Sequence, residues 1–409
     1  MSSVDEQRKP EKALVPSLRF EGFNDPWEQH EFGGDLVSVE TGTNQLGSVQ
    51  DEGAPLLKMG NIQRGYFMLS KLEHLPDGEK VAQGHFAHYG DFLFNTRNTL
   101  ELVGKGATWI GESKKYAFNS NIARFEMREI DTFFFNYLYN TDEMIKQIHS
   151  RAMGTTSVAA IYPRSLKSIL YYAPPIDEQY AIGKLLLKLD SLIALHQRKH
   201  GKLKTVKQSL LEKMFPKEGE DVPEIRFEGF TEPWEQRKFL ELVERRSRFA
   251  DDPSLPRVEY EDIVSGQGML NKDVAEKHDK RGGIAFESGD VLYGKLRPYL
   301  RNWLNPQFEG VALGDFWVLN PTGINPGFLF ALIRTSAFER VANESTGTKM
   351  PRADWQNISN TEFSVPLCEE EQKAIGALLR KLDSLIALHQ RELEILKNLK
   401  KAMLEKMFV

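Results

Sequence analysis

The residue types able to do chemistry in this chain fall into two sets, and the first consists of catalytic elements that remain incomplete. Glu371-Gln372-Lys373 has the Glu-x-Lys look of a nuclease metal site. The matching tripeptide earlier in the chain is Glu178-Gln179-Tyr180, and each opens a predicted helix, where capping charge is the better account. Gly104-Lys105-Gly106 lacks the spacing of a phosphate loop, and no Gly-Lys-Ser/Thr follows it. Base methylation would need a glycine-rich cofactor loop after a strand and an Asn-Pro-Pro-aromatic element to hold an extruded base; neither is in the sequence. The histidines are scattered, and His85 with His88 makes no metal site without acidic or cysteine company. No catalytic residue and no metal ligand is assigned.

The second set could bind nucleic acid. Asn95-Thr96-Arg97-Asn98 directly follows a strand-like run, which puts amide and guanidinium groups at an exposed end. Much later, Lys295, Arg297, Tyr299 and Arg301 follow a similar run. Arginine and lysine can donate to guanine's major-groove acceptors, and asparagine can pair bidentately with adenine. Two glycine-threonine turns, Gly154-Thr155-Thr156 and Gly347-Thr348-Lys349, with Arg164 near the first and Arg352 near the second, suit phosphate contacts that position without reading sequence. Lys58 with Asn61 is a further candidate ahead of Gly65.

The elements that must position these residues are duplicated. LDSLIALHQR occurs unchanged at Leu189 to Arg198 and at Leu382 to Arg391, 193 residues apart. Gln179, Ala181, Ile182 and Gly183 match Gln372, Ala374, Ile375 and Gly376 in the same register, and Glu212 to Phe215 matches Glu405 to Phe408. Apolar residues recur at steps of three and four through Ile182, Leu185, Leu189, Leu192, Leu203, Val206 and Leu210. The second copy runs Ile375, Leu378, Leu382, Leu385, Leu396, Leu399 and Met403, a heptad seam in each case. The spacing predicts two long helices, the first over 177–214, and economy packs them against each other. At the midpoints His196, Lys199, His389 and Glu392 are expected to meet and set the register of an antiparallel pair. The competing expectation is a solvated patch on a helix bent at Gly201.

An opener is duplicated too. Arg19-Phe20-Glu21-Gly22-Phe23 with Pro26-Trp27-Glu28-Gln29 returns as Arg226-Phe227-Glu228-Gly229-Phe230 with Pro233-Trp234-Glu235-Gln236. Between opener and helix each unit reads as mixed α/β. Strands are predicted at 91–94 and 290–293, and short helices around 133–149 and 326–343. The expected organisation is a disordered tail over 1–16, a mixed domain over 17–176, a long helix and linker over 177–223, a second mixed domain over 224–369, and a second long helix over 370–409.

With 409 residues, 41% apolar and 27% charged, the chain has material for more than one core. No apolar run approaches a membrane span and the N-terminus is charged rather than signal-like, so the cytoplasm is the expected location. The single cysteine, Cys368, excludes an intrachain disulfide and is read as a buried small residue. A net charge of −5 argues against wrapping nucleic acid unaided, so DNA binding would rest on local basic loops or on a partner's charge.

An Arg-Phe-x-Gly-Phe and Pro-Trp opener, a divergent domain, a glycine-threonine turn and a helix ending Lys-Met-Phe, all present twice, closely resemble the specificity subunit of type I restriction-modification enzymes. The likeness runs from Ser17 onward. It implies two mixed α/β target recognition domains joined by two long helices in an antiparallel coiled coil, an internal repeat with pseudo-twofold symmetry. It also implies a DNA-binding subunit without catalysis of its own, reading an asymmetric bipartite site. Partners would be two modification subunits holding S-adenosylmethionine and methylating adenine, and restriction subunits using ATP and Mg. Residues identical in both copies, Leu192, Leu195, Leu385 and Leu388 among them, suit two identical partner molecules. Rival expectations are the targeting subunit of a system whose nuclease lies in the methylating polypeptide, a coiled-coil adaptor for other proteins, and a self-contained nuclease.

Overall fold

The computed structural model describes residues 15–155, 157–275, 277, 279–344 and 350–408. The chain divides into two compact units, one formed by 1–194 with 394–409 and the other by 195–393. The two long helices, Ile176–Lys213 and Glu369–Met407, are each unbroken, and the first passes straight through Gly201. Each unit contains a globular domain and part of each helix.

The domains are built alike. In the first unit a four-stranded antiparallel sheet runs in the order Leu36–Thr41, Ile122–Met127, Phe92–Asn95, Gly106–Thr108. In the second the order Val243–Arg246, Phe316–Pro321, Val291–Gly294, Trp303–Leu304 repeats it. The central strands Phe92–Asn95 and Val291–Gly294 are buried at every position, which is why they read as continuous apolar runs rather than alternations. Two short helices follow in each unit, Thr132–Tyr139 with Asp142–His149 and Pro326–Leu332 with Ser336–Ala342. Each starts on a side-chain cap, from Asp131, Thr141, Asn325 and Thr335 respectively.

The duplicated motifs join each domain to its helices. The opener strand Glu28–Glu31 pairs with Leu170–Ala173, and Glu235–Lys238 pairs with Glu362–Val365, so the opener lies beside the strand that leads into the long helix. Arg19 then grips Glu178 through two hydrogen bonds of 2.7 Å, and Arg226 grips Glu371 at 2.7 and 2.8 Å. Both carboxylates are buried, so the acidic helix starts are internal ion-pair partners rather than exposed capping charges. Gln179 donates to the Pro174 carbonyl and accepts from the Asp131 amide; Gln372 does the same with Pro366 and Asn325.

Within each unit the helix halves run antiparallel. In the first, Asp190 of one helix accepts from Lys400 of the other at 2.5 Å and from the Tyr137 hydroxyl at 2.8 Å. In the second, Asp383 meets Lys207 at 2.5 Å and Arg334 at 2.6 Å. The Lys-Met-Phe ends have a packing role: Phe408 lies 6.0 Å edge-on to Trp27, and Phe215 lies 5.8 Å edge-on to Trp234. Ile182, Leu186 and Leu189 are buried in one core, and Ile375, Leu379 and Leu382 in the other. Val206 and Leu399, expected in the seam, are exposed, because the faces covered by the domains draw Leu186, Leu379, Ile386 and Leu393 inward instead.

Gly183 and Gly376 mark close approaches of the long helices to the domain backbones. A Cβ on Gly376 would lie 2.6 Å from the Gly327 carbonyl carbon and 2.8 Å from the Phe328 nitrogen, backbone atoms with little room to give. Gly376→Ala should therefore cost at least about 1 kcal/mol in thermal or urea unfolding, despite the better helix propensity of alanine. A neutral or stabilising result would refute this close packing. Cys368 is half-buried rather than enclosed and donates to Glu370. Among the described residues no helix is long and apolar enough to cross a membrane.

Candidate nucleic-acid interface

In the first unit the chain leaves the central strand at Asn95 and immediately enters a second, smaller sheet. Strand Arg97–Asn98 pairs with Ala159–Ala160, which pairs with Met153–Gly154. Arg97, Asn98 and Thr155 are thereby brought onto one exposed ribbon. Arg97 is exposed, Asn98 is partly so and spends its Oδ1 on the Thr99 amide, and Thr155 is exposed. Val158 and Met153 stand out from the same ribbon, 66% and 58% exposed. Arg164 follows closely, also exposed, with its guanidinium over the Tyr162 ring.

The second unit builds the equivalent place differently. Lys295 accepts at its carbonyl from the Ala353 amide, Arg297 donates its amide to Pro351, and Leu296 bridges Arg352. Lys295 and Arg352 both approach Asp315, at 3.7 and 2.9 Å. Arg297 and Arg301 flank a short turn at Pro298–Leu300 with φ of 50° and 55°, the left-handed region that L side chains rarely adopt. Such strain persists only where the surroundings impose it and concentrates at functional loops. Here Ser265 and Gly266 hold the carbonyls of Leu300 and Arg301. Tyr299 is exposed at the turn's tip, and Arg301 is exposed but paired with Glu339 at 2.8 Å. Thr348, Lys349 and Thr156 lie outside the described residues.

Three candidates have internal duties. Asn95 is fully buried and donates to the Met59 carbonyl, so it ties the strand end to the 59–61 turn instead of reaching outward. Asn61 is buried too, accepting from the Lys58 amide and donating to Met68. Lys58 is spent on Glu73 at 2.8 Å. Of the helix leucines, Leu195 and Leu388 are exposed while Leu192 and Leu385 are partly buried.

One basic group escaped sequence reasoning. Arg64 and Lys105 stand beside the buried end of the central strand, and among the described residues neither forms an ion pair with a carboxylate: Arg64 bonds His149 at 3.1 Å and Lys105 donates to Gln63 at 2.8 Å. Burial, first, and then the Arg64 charge hold the Lys105 ammonium below its ordinary range; burial likewise lowers Arg64, and burial with Arg64 lowers His149. Like charges kept together in this way suit an anion. The residues are far apart in sequence, so no motif signals them.

Residues 232–398 match the family model described as the type I restriction modification DNA specificity domain. Over 92% of its length the chain is 23% identical to the putative type I restriction enzyme MjaX specificity subunit of Methanocaldococcus jannaschii, of which 91% is covered. It is 22% identical to the MjaVIII specificity subunit of the same organism, over 85% of this chain and 86% of the relative. Among solved structures, the type I restriction-modification S subunit from M. genitalium superposes with a TM-score of 0.57 at 14% identity. That alignment covers 97% of this chain and 99% of the other, and it shows a shared fold.

Proposed function

We propose that the chain is a specificity subunit of a type I restriction-modification system, which reads an asymmetric, bipartite DNA site and directs partner subunits to it. One observation carries the reading: the two units share the opener strand pairing and the arginine–glutamate clamp that fix domain to helix, but differ in the loops at the end of the central strand. Shared parts suit two copies of one partner, and unlike loops suit two unlike base sequences. In the first unit Arg97 and Asn98 would face base edges, with Val158 and Met153 against thymine methyl groups, and Thr155, Arg164, Arg64 and Lys105 on phosphates. In the second, Arg297, Tyr299 and Arg301 would read bases, with Lys295, Lys349, Thr348 and Arg352 on the backbone.

Modification subunits would dock along the helices, using the exposed Leu195 and Leu388 with Leu192 and Leu385. They would bring the S-adenosylmethionine that methylates adenine, and restriction subunits would bring ATP and Mg. This chain's own part is then to bind and position. The net charge of −5 is consistent with that division, since encircling partners could neutralise much of the phosphate backbone.

Methylation-sensitive sequencing of DNA from cells expressing this chain with its modification subunit should yield one motif with two defined halves and an undefined gap. A continuous motif, or none, would overturn the reading.

A further inference from the structure

Near the middle of the long helices, within the 195–393 unit, three side-chain atoms converge. His196 Nδ1 lies 2.8 Å from Glu392 Oε2, His389 Nδ1 lies 3.1 Å from the same oxygen, and the two imidazole nitrogens are 3.1 Å apart. His196 comes from one helix and the other two from its neighbour, one turn apart on a common face. Both imidazoles are largely buried, their side chains 16% and 15% exposed, and the rings meet at 66°.

While Glu392 keeps its charge, no placement of protons on the imidazoles satisfies this triangle. If both Nδ1 atoms carry hydrogen, both can donate to Glu392, but two N–H groups then oppose each other at 3.1 Å. If only one does, the other nitrogen's lone pair opposes the carboxylate. If neither does, every edge is repulsive. A cation removes the conflict, since it accepts all three lone pairs at once. Edges near 3 Å fit one: an ion about 1 Å out of the plane of the three atoms would be roughly 2.0–2.1 Å from each, the usual zinc distance to imidazole nitrogen and carboxylate oxygen.

We propose that His196, His389 and Glu392 form a three-ligand site for a divalent transition ion of the zinc class, stapling the two long helices together at this level. Two imidazoles and one carboxylate disfavour Mg²⁺ and Ca²⁺, which prefer all-oxygen shells. The fourth position is left to water or to His200, one turn beyond His196. His196 and His389 are the same residue of the duplicated decapeptide, but the position matching Glu392 holds Lys199, which is exposed and takes no part. The duplication therefore produces one tripod.

The test uses the full chain purified without a histidine tag and stripped with a chelator. Calorimetric titration with Zn²⁺ should show one ion bound per chain, and Co²⁺ should give the visible absorption of a four-coordinate site. At zinc roughly a hundredfold above the dissociation constant, the unfolding midpoint should rise by roughly 5–10 °C. His389→Gln and the milder Glu392→Gln should each weaken binding at least tenfold while keeping the helical circular dichroism, and His85→Gln with His88→Gln should change nothing. Equal affinity in His389→Gln and the parent chain, or no saturable binding up to ~100 times the protein concentration, would overturn the site and leave a hydrogen-bonded polar layer.

Discussion

Replacing Glu371 by alanine is expected to destabilise the chain by about 3–5 kcal/mol, because it strands a cation in a place built for a pair. The Glu371 side chain is 1% exposed, takes two hydrogen bonds from Arg226, and lies 3.3 Å from the Trp234 indole nitrogen. The Arg226 guanidinium is held above its ordinary value by that carboxylate, so folding draws on the charged pair rather than on either residue alone. Without Glu371, Arg226 must keep its charge half-enclosed or pull the opener away from the helix, and Trp234 loses its anchor. Urea or thermal unfolding measures the effect, with a fall of roughly 10 °C in the midpoint for a unit of this size. Removing both charges, by Arg226→Met with Glu371→Leu, should recover most of the loss, since a well-packed apolar pair costs no desolvation. A single-variant loss below about 1 kcal/mol would mean that the pair is a solvated surface contact.

The second large effect concerns specificity. Arg97→Ala should relax base discrimination in one half-site by 10- to 100-fold, following from the roughly 1–3 kcal/mol that a bidentate arginine contact contributes. The other half-site should be unaltered. The readout is the methylation motif written by the variant with its modification partner. Arg97 suits this because its ribbon is fixed by pairing with Ala160, its side chain is exposed, and its neighbour Asn95 secures the strand end from below. A uniform weakening at both halves, with a smaller salt dependence of binding, would instead put Arg97 on a phosphate.

Much of the scaffold was legible in the sequence, because its signals are local or repeated. The heptad steps and the 193-residue register set both long helices to within a residue or two, and the apolar runs before Asn95 and Lys295 gave the central strands one residue early. The meeting of His196, His389 and Glu392 followed from an antiparallel pairing of like segments, and only Lys199 stays out of it. The candidate recognition residues were harder. Arg97, Asn98 and Thr155 were identified separately, and the ribbon that unites them depends on pairing across some sixty residues.

What the sequence determined by itself is the set of elements and their duplication: two openers, two mixed domains, two amphipathic helices, and the absence of any completed catalytic motif. Periodicity and repetition are written in neighbouring residues and need no partner to be read. The tertiary structure alone decided which polar groups are spent inside. It buried Asn95, turned Glu178 and Glu371 from helix-start charges into clamps on distant arginines, and gathered Arg64 with Lys105. Each of these outcomes depends on what another stretch of chain brings within about 3 Å, the hydrogen-bonding distance that sequence spacing alone does not encode.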